Sequence, residues 1–241
     1  MSFLSRLFKR GGASQAPSTP VALITNFSAC PLGVELLDRL VESNTHVVAV
    51  AHDAKRFEEK FEAAENVSLF DAFPNDEEDR NRLISFLVSK KMQVSTLVQN
   101  QPFMLKPTID QPRETKGKVV DDDEKLQMLQ EKVRILVESP LYFAGDLFDN
   151  NLVAREARLL SVLHRQHGMY HLLRASQVNM RRALAGRLEE GQVGMSYLTS
   201  GVYMQNYSNF IVLTKAQKEE VVPLLDAKDL ATAVSAKLLD C

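Results

Sequence analysis

Short apolar segments alternate with amphipathic helical segments along most of this 241-residue chain. Buried parallel strands have such short apolar sequences, whereas helices place their apolar side chains every three or four residues. Strands are predicted at residues 21–25, 46–51, 67–70, 94–98, 169–173 and 194–198. Helices are predicted at residues 32–42, 55–64, 77–90, 125–138, 148–166, 177–190 and 229–239. This alternation predicts an α/β fold: a Rossmann-like, doubly wound parallel sheet of about seven strands with helices on both faces.

Two segments stand outside the alternation. Residues 1–20 combine a basic, amphipathic decapeptide, MSFLSRLFKR, with a linker rich in Gly, Ser, Ala and Pro, which is typical of a flexible leader. Residues 21–241 then form a single domain. Within it, residues 104–124 contain two prolines and an acidic run, and they indicate an insertion-like loop.

The composition argues against several function classes. A net charge of −2 lacks the basic excess of nucleic-acid-binding proteins, so no nucleic-acid partner is expected. Only two cysteines, Cys30 and Cys241, are present, which indicates neither a disulfide framework nor a metal cluster and favours a cytoplasmic location. The apolar and basic side chains of residues 1–10 would also allow peripheral contact with an anionic membrane surface, at the inner face of a membrane.

The segment Val21–Gly33, VALITNFSACPLG, resembles the first strand and cofactor turn of the short-chain dehydrogenase/reductase (SDR) family. The family pattern is T-G-x-x-x-G-x-G. Thr25 and Gly33 fit it, whereas Asn26 and Pro31 stand where the family has glycine. Those glycines let the backbone turn tightly and approach a pyrophosphate. Asn26 tolerates a left-handed conformation, but Pro31 removes an N–H donor, so binding of NAD or NADP is expected to be weak or lost.

Further segments resemble family motifs in the family's order. Asp71 resembles the acidic residue that contacts adenine, and Asn100 matches an Asn of the D-x-L-V-N-N-A-G segment. Asn151 in FDNNL matches the structural and catalytic Asn, Ser176 the catalytic Ser, and Gly201 the Gly of a Pro-Gly motif. The resemblance covers roughly residues 20–240 and implies these cofactor-binding residues: Thr25, Asn26, Ser28, Gly33, His52, Asp53, Asp71, Asn100 and Gly201.

The family's catalytic pair is missing from the sequence. SDR catalysis uses a Tyr to transfer a proton and a Lys, four residues later, to lower the pKa of that Tyr. No Tyr-x-x-x-Lys occurs, and no lysine lies between Lys132 and Lys215. Tyr170 and Arg174 have the right spacing, but Tyr170 falls on a predicted buried strand, which favours a core position over catalysis.

Three histidines, His164, His167 and His171, lie close together in the sequence, but no Cys or carboxylate accompanies them. A polar helix end is therefore favoured over a metal site, and no metal is expected. The segment SGVYMQNY, residues 200–207, also resembles the NmrA-like branch of the superfamily, whose members can bind dinucleotide as sensors.

Three functions remain open from the sequence. The favoured one is a catalytically degenerate SDR-like protein that acts by binding, in a regulatory, sensor or scaffold role with a protein partner. The alternatives are an active NAD(P)-dependent oxidoreductase with an atypical active site and a membrane-surface-associated assembly protein. The resemblance also implies a homodimer formed through helices 148–166 and 177–190.

Overall fold

The computed structural model describes residues 18–29, 31–100, 122–164, 170–203, 208–215 and 218–224. Residues 1–17 of the predicted leader and linker, most of the predicted insertion-like loop, helix 229–239 and both cysteines lie outside these residues. The strands are β1 (Thr19–Thr25), β2 (Val47–Ala51), β3 (Val67–Asp71), β4 (Met92–Asn100), β5 (Val153–His164), β6 (Gly194–Tyr203), β7 (Ser208–Lys215) and β8 (Lys218–Leu224). The α-helices are α1 (Pro31–Glu42), α2 (Glu58–Phe61), α3 (Glu77–Ser89), α4 (Asp122–Val133), α5 (Ser139–Asp149), α6 (Tyr170–Ala183) and α7 (Ala185–Glu190).

All eight strands form one sheet in the order β3-β2-β1-β4-β5-β6-β7-β8. The first six strands are parallel, and the reversal of order at β1 and β4 gives the doubly wound topology that the sequence predicted. The last two strands, β7 and β8, are antiparallel and extend the sheet beyond β6.

Two apolar layers cover the two faces of the sheet. On one face, α1 and α2 bury side chains such as Leu36, Leu37 and Phe61 against β1 and β2. On the other face, α3, α5, α6 and α7 pack on β1, β4 and β5 through side chains such as Phe143 and Met180. The prediction of helices on both faces is confirmed.

The predicted helix 148–166 is wrong. Helix α5 ends at Asp149, and a Schellman motif closes it: Asn151 has φ 55°, Leu152 N–H donates to Leu147 O at 2.9 Å and Asn151 N–H donates to Phe148 O at 3.0 Å. The chain then enters β5, a central strand with both faces buried. Such a strand has apolar residues at consecutive positions, and this pattern also satisfies a helical spacing.

The predicted strand 169–173 is also wrong, because Tyr170 begins helix α6. The predicted helix 177–190 exists but starts earlier and is interrupted at Leu184, between α6 and α7. The predicted helix 55–64 consists of a 3₁₀ turn, Ala54–Phe57, followed by the single turn of α2.

A proline distorts the long helix that precedes β5. Between α4 and α5 lies a π-helical segment, Arg134–Glu138, so that the three pieces run without a break. Pro140 has no N–H to donate and its ring would clash with the carbonyl four residues earlier in a regular α-helix. The helix widens instead, and the N–H and hydroxyl of Ser139 both donate to Arg134 O.

Strand β6 is longer than predicted and reaches Tyr203. Gly201, the predicted match to the Gly of a Pro-Gly motif, lies inside this strand and pairs with Phe210 of β7. The sheet therefore continues beyond β6 in the antiparallel strand β7. In the parts of the chain that the structure describes, no helix is both long and apolar enough to cross a membrane.

Candidate functional site

The carboxyl ends of β1, β2, β3 and β4 lie side by side, at the point where the strand order reverses. Ligands of open α/β sheets bind at such a switch point. Eight of the nine predicted cofactor residues lie at this edge, on the strand ends or in the segments that follow them: Thr25, Asn26, Ser28, Gly33, His52, Asp53, Asp71 and Asn100. Their role in binding a cofactor stays a prediction.

The amides of Asn26 and Asn100 hold β1 and β4 together at this edge. Asn26 Nδ2 donates to Asn100 O at 3.1 Å, and Asn100 Nδ2 donates to Asn26 O at 3.0 Å. Asn26 has φ 52°, the left-handed conformation that the sequence led us to expect. Each side chain thus bonds to the backbone of the other residue, which fixes the start of the turn after β1.

Phe27 fills the space beneath this turn. A 3₁₀ turn, Phe27–Ala29, directs the Phe27 ring into the core, where it is fully buried and meets the Phe57 ring edge-on at 5.0 Å. The carbonyl of Phe27 approaches Gly33 so closely that a Cβ on Gly33 would lie 2.2 Å from Phe27 O and 2.8 Å from Asn100 Nδ2. Gly33 is therefore required for the packing of the chain against itself.

The carboxylate of Asp53 is held by donors from the protein. Ser28 Oγ donates a short hydrogen bond to Oδ1, and Arg56 NH1 lies 2.9 Å from Oδ2. Burial raises the pKa of Asp53, but the hydrogen bonds from Ser28 and Arg56 and the charges of His52 and Arg56 lower it by more. The pKa therefore lies below its ordinary value.

An aromatic pair and an ion pair occupy the neighbouring edge, between the ends of β2 and β3. The His52 ring stacks on the Phe73 ring with 4.8 Å between centroids. Lys55 Nζ lies 3.8 Å from Asp71 Oδ2, so Asp71 also has a partner from the protein.

These contacts fit a dinucleotide poorly in the arrangement that the structure shows. A pyrophosphate needs backbone N–H groups at a glycine-lined turn, but Pro31 offers none and the Phe27 carbonyl lies against Gly33. A ribose hydroxyl would share the Asp53 carboxylate with Ser28 and Arg56, which leaves each oxygen one further acceptor site. The residues at this edge therefore fit a dinucleotide less well than a glycine-lined turn with a free carboxylate would.

Two of the predicted catalytic residues are not at this edge. Asn151 ends helix α5 just before β5 begins, so it lies at the opposite, amino-terminal edge of the sheet, where its carbonyl accepts from Gln93 at the start of β4. Ser176 is buried in the middle of α6, and its hydroxyl donates to Leu173 O of the same helix at 2.7 Å. Both predictions depended on the wrong assignments of helix and strand around β5.

Tyr170 and Arg174 belong to a helix and not to the buried strand that the sequence predicted. Tyr170 is the first residue of α6, which follows the carboxyl end of β5, and Arg174 lies one helical turn further on. The start of α6 therefore lies at the carboxyl edge of the sheet. Arg174 Nε donates to the hydroxyl of Tyr197 in β6 at 3.3 Å.

A row of polar residues next to this pair was missed by the sequence analysis. Thr25, Gln99, Ser161 and Tyr197 pair in register across β1, β4, β5 and β6. Gln99 Nε2 donates to Pro140 O at 2.8 Å, and Ser161 Oγ donates to Gln99 Oε1 at 3.4 Å. Each of these strands has a polar residue inside an apolar run in the sequence. Because a buried polar group needs a hydrogen-bond partner, this pattern could have identified the row.

No group of three metal-ligating side chains is present among the described residues. His164 and His171 lie on β5 and α6, with side chains outside the described set, and His167 lies outside it entirely.

No protein-family model and no curated protein matches the sequence. The fold, however, matches solved SDR structures. A 3-ketoacyl-(acyl-carrier-protein) reductase from Brucella melitensis, complexed with NADH, has a TM-score of 0.62 at 19% identity, over 91% of this chain and 90% of the reductase.

Two further structures agree with this match. A metagenomic short-chain oxidoreductase in complex with NADP has a TM-score of 0.59 at 14% identity, over 92% of this chain and 91% of that protein. A β-ketoacyl-[ACP] reductase from Bacteroides thetaiotaomicron has a TM-score of 0.62 at 13% identity, over 92% and 91% of the two chains. The chain therefore has the SDR fold, which the sequence resemblance predicted.

Replacement of Gly33 by Ala tests the close packing of the turn. The added Cβ would collide with backbone atoms of Phe27, so we expect Gly33→Ala to lower the free energy of unfolding by at least about 2 kcal/mol. Gly186→Ala is the matched control, because Gly186 lies in α7 with no atom within 4 Å of the added Cβ. It should raise the free energy of unfolding by about 0.5–1 kcal/mol. Urea denaturation measures both, and equal effects would contradict the packing.

Replacement of Ser28 by Ala tests the contact with Asp53. Because the pKa of Asp53 is lowered in the folded protein, its charge stabilises the fold above the unfolded pKa of about 3.9, and this stability is lost as pH falls through the folded pKa. Ser28→Ala should therefore cost about 1.5 kcal/mol at neutral pH and much less in acid.

The control for this substitution is Ser85→Ala, at an exposed position of α3. It should change the free energy of unfolding by less than about 0.5 kcal/mol at either pH. Urea denaturation at neutral pH and in acid provides the comparison, and a cost of Ser28→Ala that does not depend on pH would argue against the charged hydrogen bond.

Proposed function

We propose that this chain is a divergent, catalytically degenerate member of the SDR superfamily that acts by binding, in a regulatory, sensor or scaffold role. Binding of NAD or NADP is weak or lost. The observation that carries this proposal is the Asp53 carboxylate, whose two oxygens already accept from Ser28 and Arg56.

The energy of these contacts supports weak binding. Hydrogen bonds to a charged group contribute roughly 1.5–3 kcal/mol each, so a ribose hydroxyl that replaced the Ser28 hydroxyl would gain little net free energy. The Phe27 carbonyl against Gly33 and the missing N–H of Pro31 weaken the adjacent pyrophosphate position in the same way.

The residues at α6 also argue against ordinary SDR catalysis. The lysine of that mechanism is a compact ammonium that reaches both the Tyr and the cofactor, whereas Arg174 has a planar, permanently charged guanidinium. Its Nε is already directed at the Tyr197 hydroxyl. The geometry therefore favours a binding protein over a reductase.

A second candidate function is an NAD(P)-dependent oxidoreductase with an atypical active site. One observation favours it: Tyr170 and Arg174 lie in the first turn of α6, at the carboxyl edge of the sheet. In this case Tyr170 would transfer the proton and Arg174 would lower its pKa through its positive charge.

Calorimetric titration with NAD, NADP and their reduced forms separates the two functions. We expect no binding at millimolar ligand for the wild-type chain, because the ligand must compete with contacts that the protein already makes. Ser28→Ala frees Oδ1 of Asp53 and should bind the reduced dinucleotides more tightly than wild type, with Ser85→Ala as the unchanged control. Micromolar binding by the wild-type chain would contradict weak or lost cofactor binding, and turnover that is lost in Tyr170→Phe would overturn the binding-protein proposal and establish the oxidoreductase.

We also propose that the chain forms a homodimer. The predicted interface was helices 148–166 and 177–190, but most of the first is strand β5, so we place the interface on α4, α5 and α6. These helices carry large apolar side chains that are substantially exposed: Leu126 and Leu129 on α4 are 53% and 50% exposed, and Leu172 and Val178 on α6 are 38% and 45% exposed. Apolar surface of this kind is typical of a subunit interface.

Light scattering tests the dimer. At micromolar concentration the measured molar mass of the wild-type protein should be twice the 27.1 kDa of one chain. The double variant Leu126→Glu with Leu129→Glu should have the mass of a monomer. Val88→Glu, at a 53% exposed position of α3, is the control and should remain dimeric. A wild-type monomer would contradict the proposal.

A further inference from the structure

Two grooves run along the sides of helix α2 and share Phe61 in their walls. Their volumes are about 590 Å³ and about 550 Å³. We call the pair the α2 cleft. Its apolar wall consists of Val41, Phe61, Ala64, Val67 and Leu69. Its acidic rim consists of Glu35, Asp38, Glu42, Glu58, Glu59 and Glu62.

Most of the rim carries uncompensated negative charge. Asp38 pairs with Lys60 at 2.6 Å and Glu42 pairs with Arg39 at 3.1 Å. The other four carboxylates, those of Glu35, Glu58, Glu59 and Glu62, have no ion pair within the described part of the chain. An apolar wall with a negative rim is complementary to a segment that is both amphipathic and basic.

Residues 1–10 of the chain, MSFLSRLFKR, have this chemistry. They include Arg6, Lys9 and Arg10, three of the 29 basic side chains, and none of the 31 acidic ones. Their four large apolar side chains, Phe3, Leu4, Leu7 and Phe8, recur at helical spacing.

The connection to β1 is long enough for the segment to reach the cleft. Strand β1 begins at Thr19, at the amino-terminal edge of the sheet. Ala22 of β1 pairs with Val47 of β2, and Val47 pairs with Val67 of β3. The start of β3 lies two strand spacings, roughly 10 Å, to the side of Ala22, and Thr19 lies three residues, about 10 Å, before Ala22 along β1. With about 10 Å more to the helix layer, the direct distance from Thr19 is about 17 Å. Residues 11–18 span up to about 26–29 Å when extended.

We propose that residues 1–10 dock in the α2 cleft of their own chain, with the apolar side chains against Phe61 and its neighbours and the basic side chains at the acidic rim. Attachment through a short linker gives an effective concentration in the millimolar range, which favours the chain's own leader over the leader of another copy. The rim contacts are exposed ion pairs, so docking weakens as salt rises. The proposal concerns a different part of the molecule from the carboxyl edge and does not depend on the function proposed above.

Limited digestion of the full chain with trypsin tests the docking, because a docked leader is protected after Arg6, Lys9 and Arg10. The cleft variant combines Glu58→Gln, Glu59→Gln and Glu62→Gln, which remove charge without adding a trypsin site. We expect it to lose its leader about five- to tenfold faster than wild type, the effect of three exposed ion pairs. The control combines Glu189→Gln and Glu190→Gln, exposed on α7 over the other face of the sheet, and should match wild type.

Hydrogen exchange gives the reciprocal measurement. Replacement of Arg6, Lys9 and Arg10 by Gln should speed amide exchange in residues 58–70 and leave residues 77–89 unchanged.

Three outcomes overturn the proposal. One is equal digestion rates in all three proteins. Another is leader protection that disappears on dilution, which indicates a second copy. The third is protection of the leader from trypsin that appears only when phosphatidylserine vesicles are added and is the same in wild type and the cleft variant. This result would indicate that the leader binds a membrane surface instead of the cleft.

Discussion

The arrangement of the carboxyl edge depends on the paired amides of Asn26 and Asn100, which join the ends of β1 and β4. Because Asn26 adopts a left-handed conformation, the chain turns at once into the 3₁₀ segment Phe27–Ala29. That turn places the Phe27 ring in the core and its carbonyl against Gly33, and it directs the Ser28 hydroxyl to Asp53. A glycine at position 26 would lack the side-chain amide that donates to Asn100 O, so this connection between β1 and β4 depends on Asn26.

The fold and this edge could be predicted in large part from the sequence. Apolar runs identified β1 to β4, and the predicted parallel arrangement of these strands placed their carboxyl ends at one edge. The left-handed conformation of Asn26 followed from the tolerance of Asn side chains. The contacts of Ser28 with Asp53 and of Gln99 with Pro140 could not be predicted, because they join residues 25 and 41 positions apart whose approach depends on the packed structure.

The errors that misplaced predicted site residues lie around β5. A strand buried on both faces has no alternating pattern, and its leucines also match helical spacing, so residues 148–166 were predicted as one helix. That assignment moved the next strand into α6 and made Asn151 and Ser176 catalytic candidates. It also placed Tyr170 in the core. The Asn150-Asn151 pair that ends α5 is a recognised helix-termination signal and was the one local feature that contradicted the long helix.

The structure thus combines the SDR fold with an edge at which Ser28 and Arg56 contact the Asp53 carboxylate, and our proposal is that these contacts weaken the binding of a dinucleotide. A nuclear magnetic resonance titration of the Asp53 side-chain carboxyl carbon tests this claim most directly. With Ser28 and Arg56 bound to it, the Asp53 carboxyl should titrate with a pKa below its ordinary value, and addition of NADPH should leave its resonance unchanged. A pKa at or above the ordinary value, together with a resonance that moves as NADPH is added, would show that the carboxylate is open to a ligand and would contradict the account.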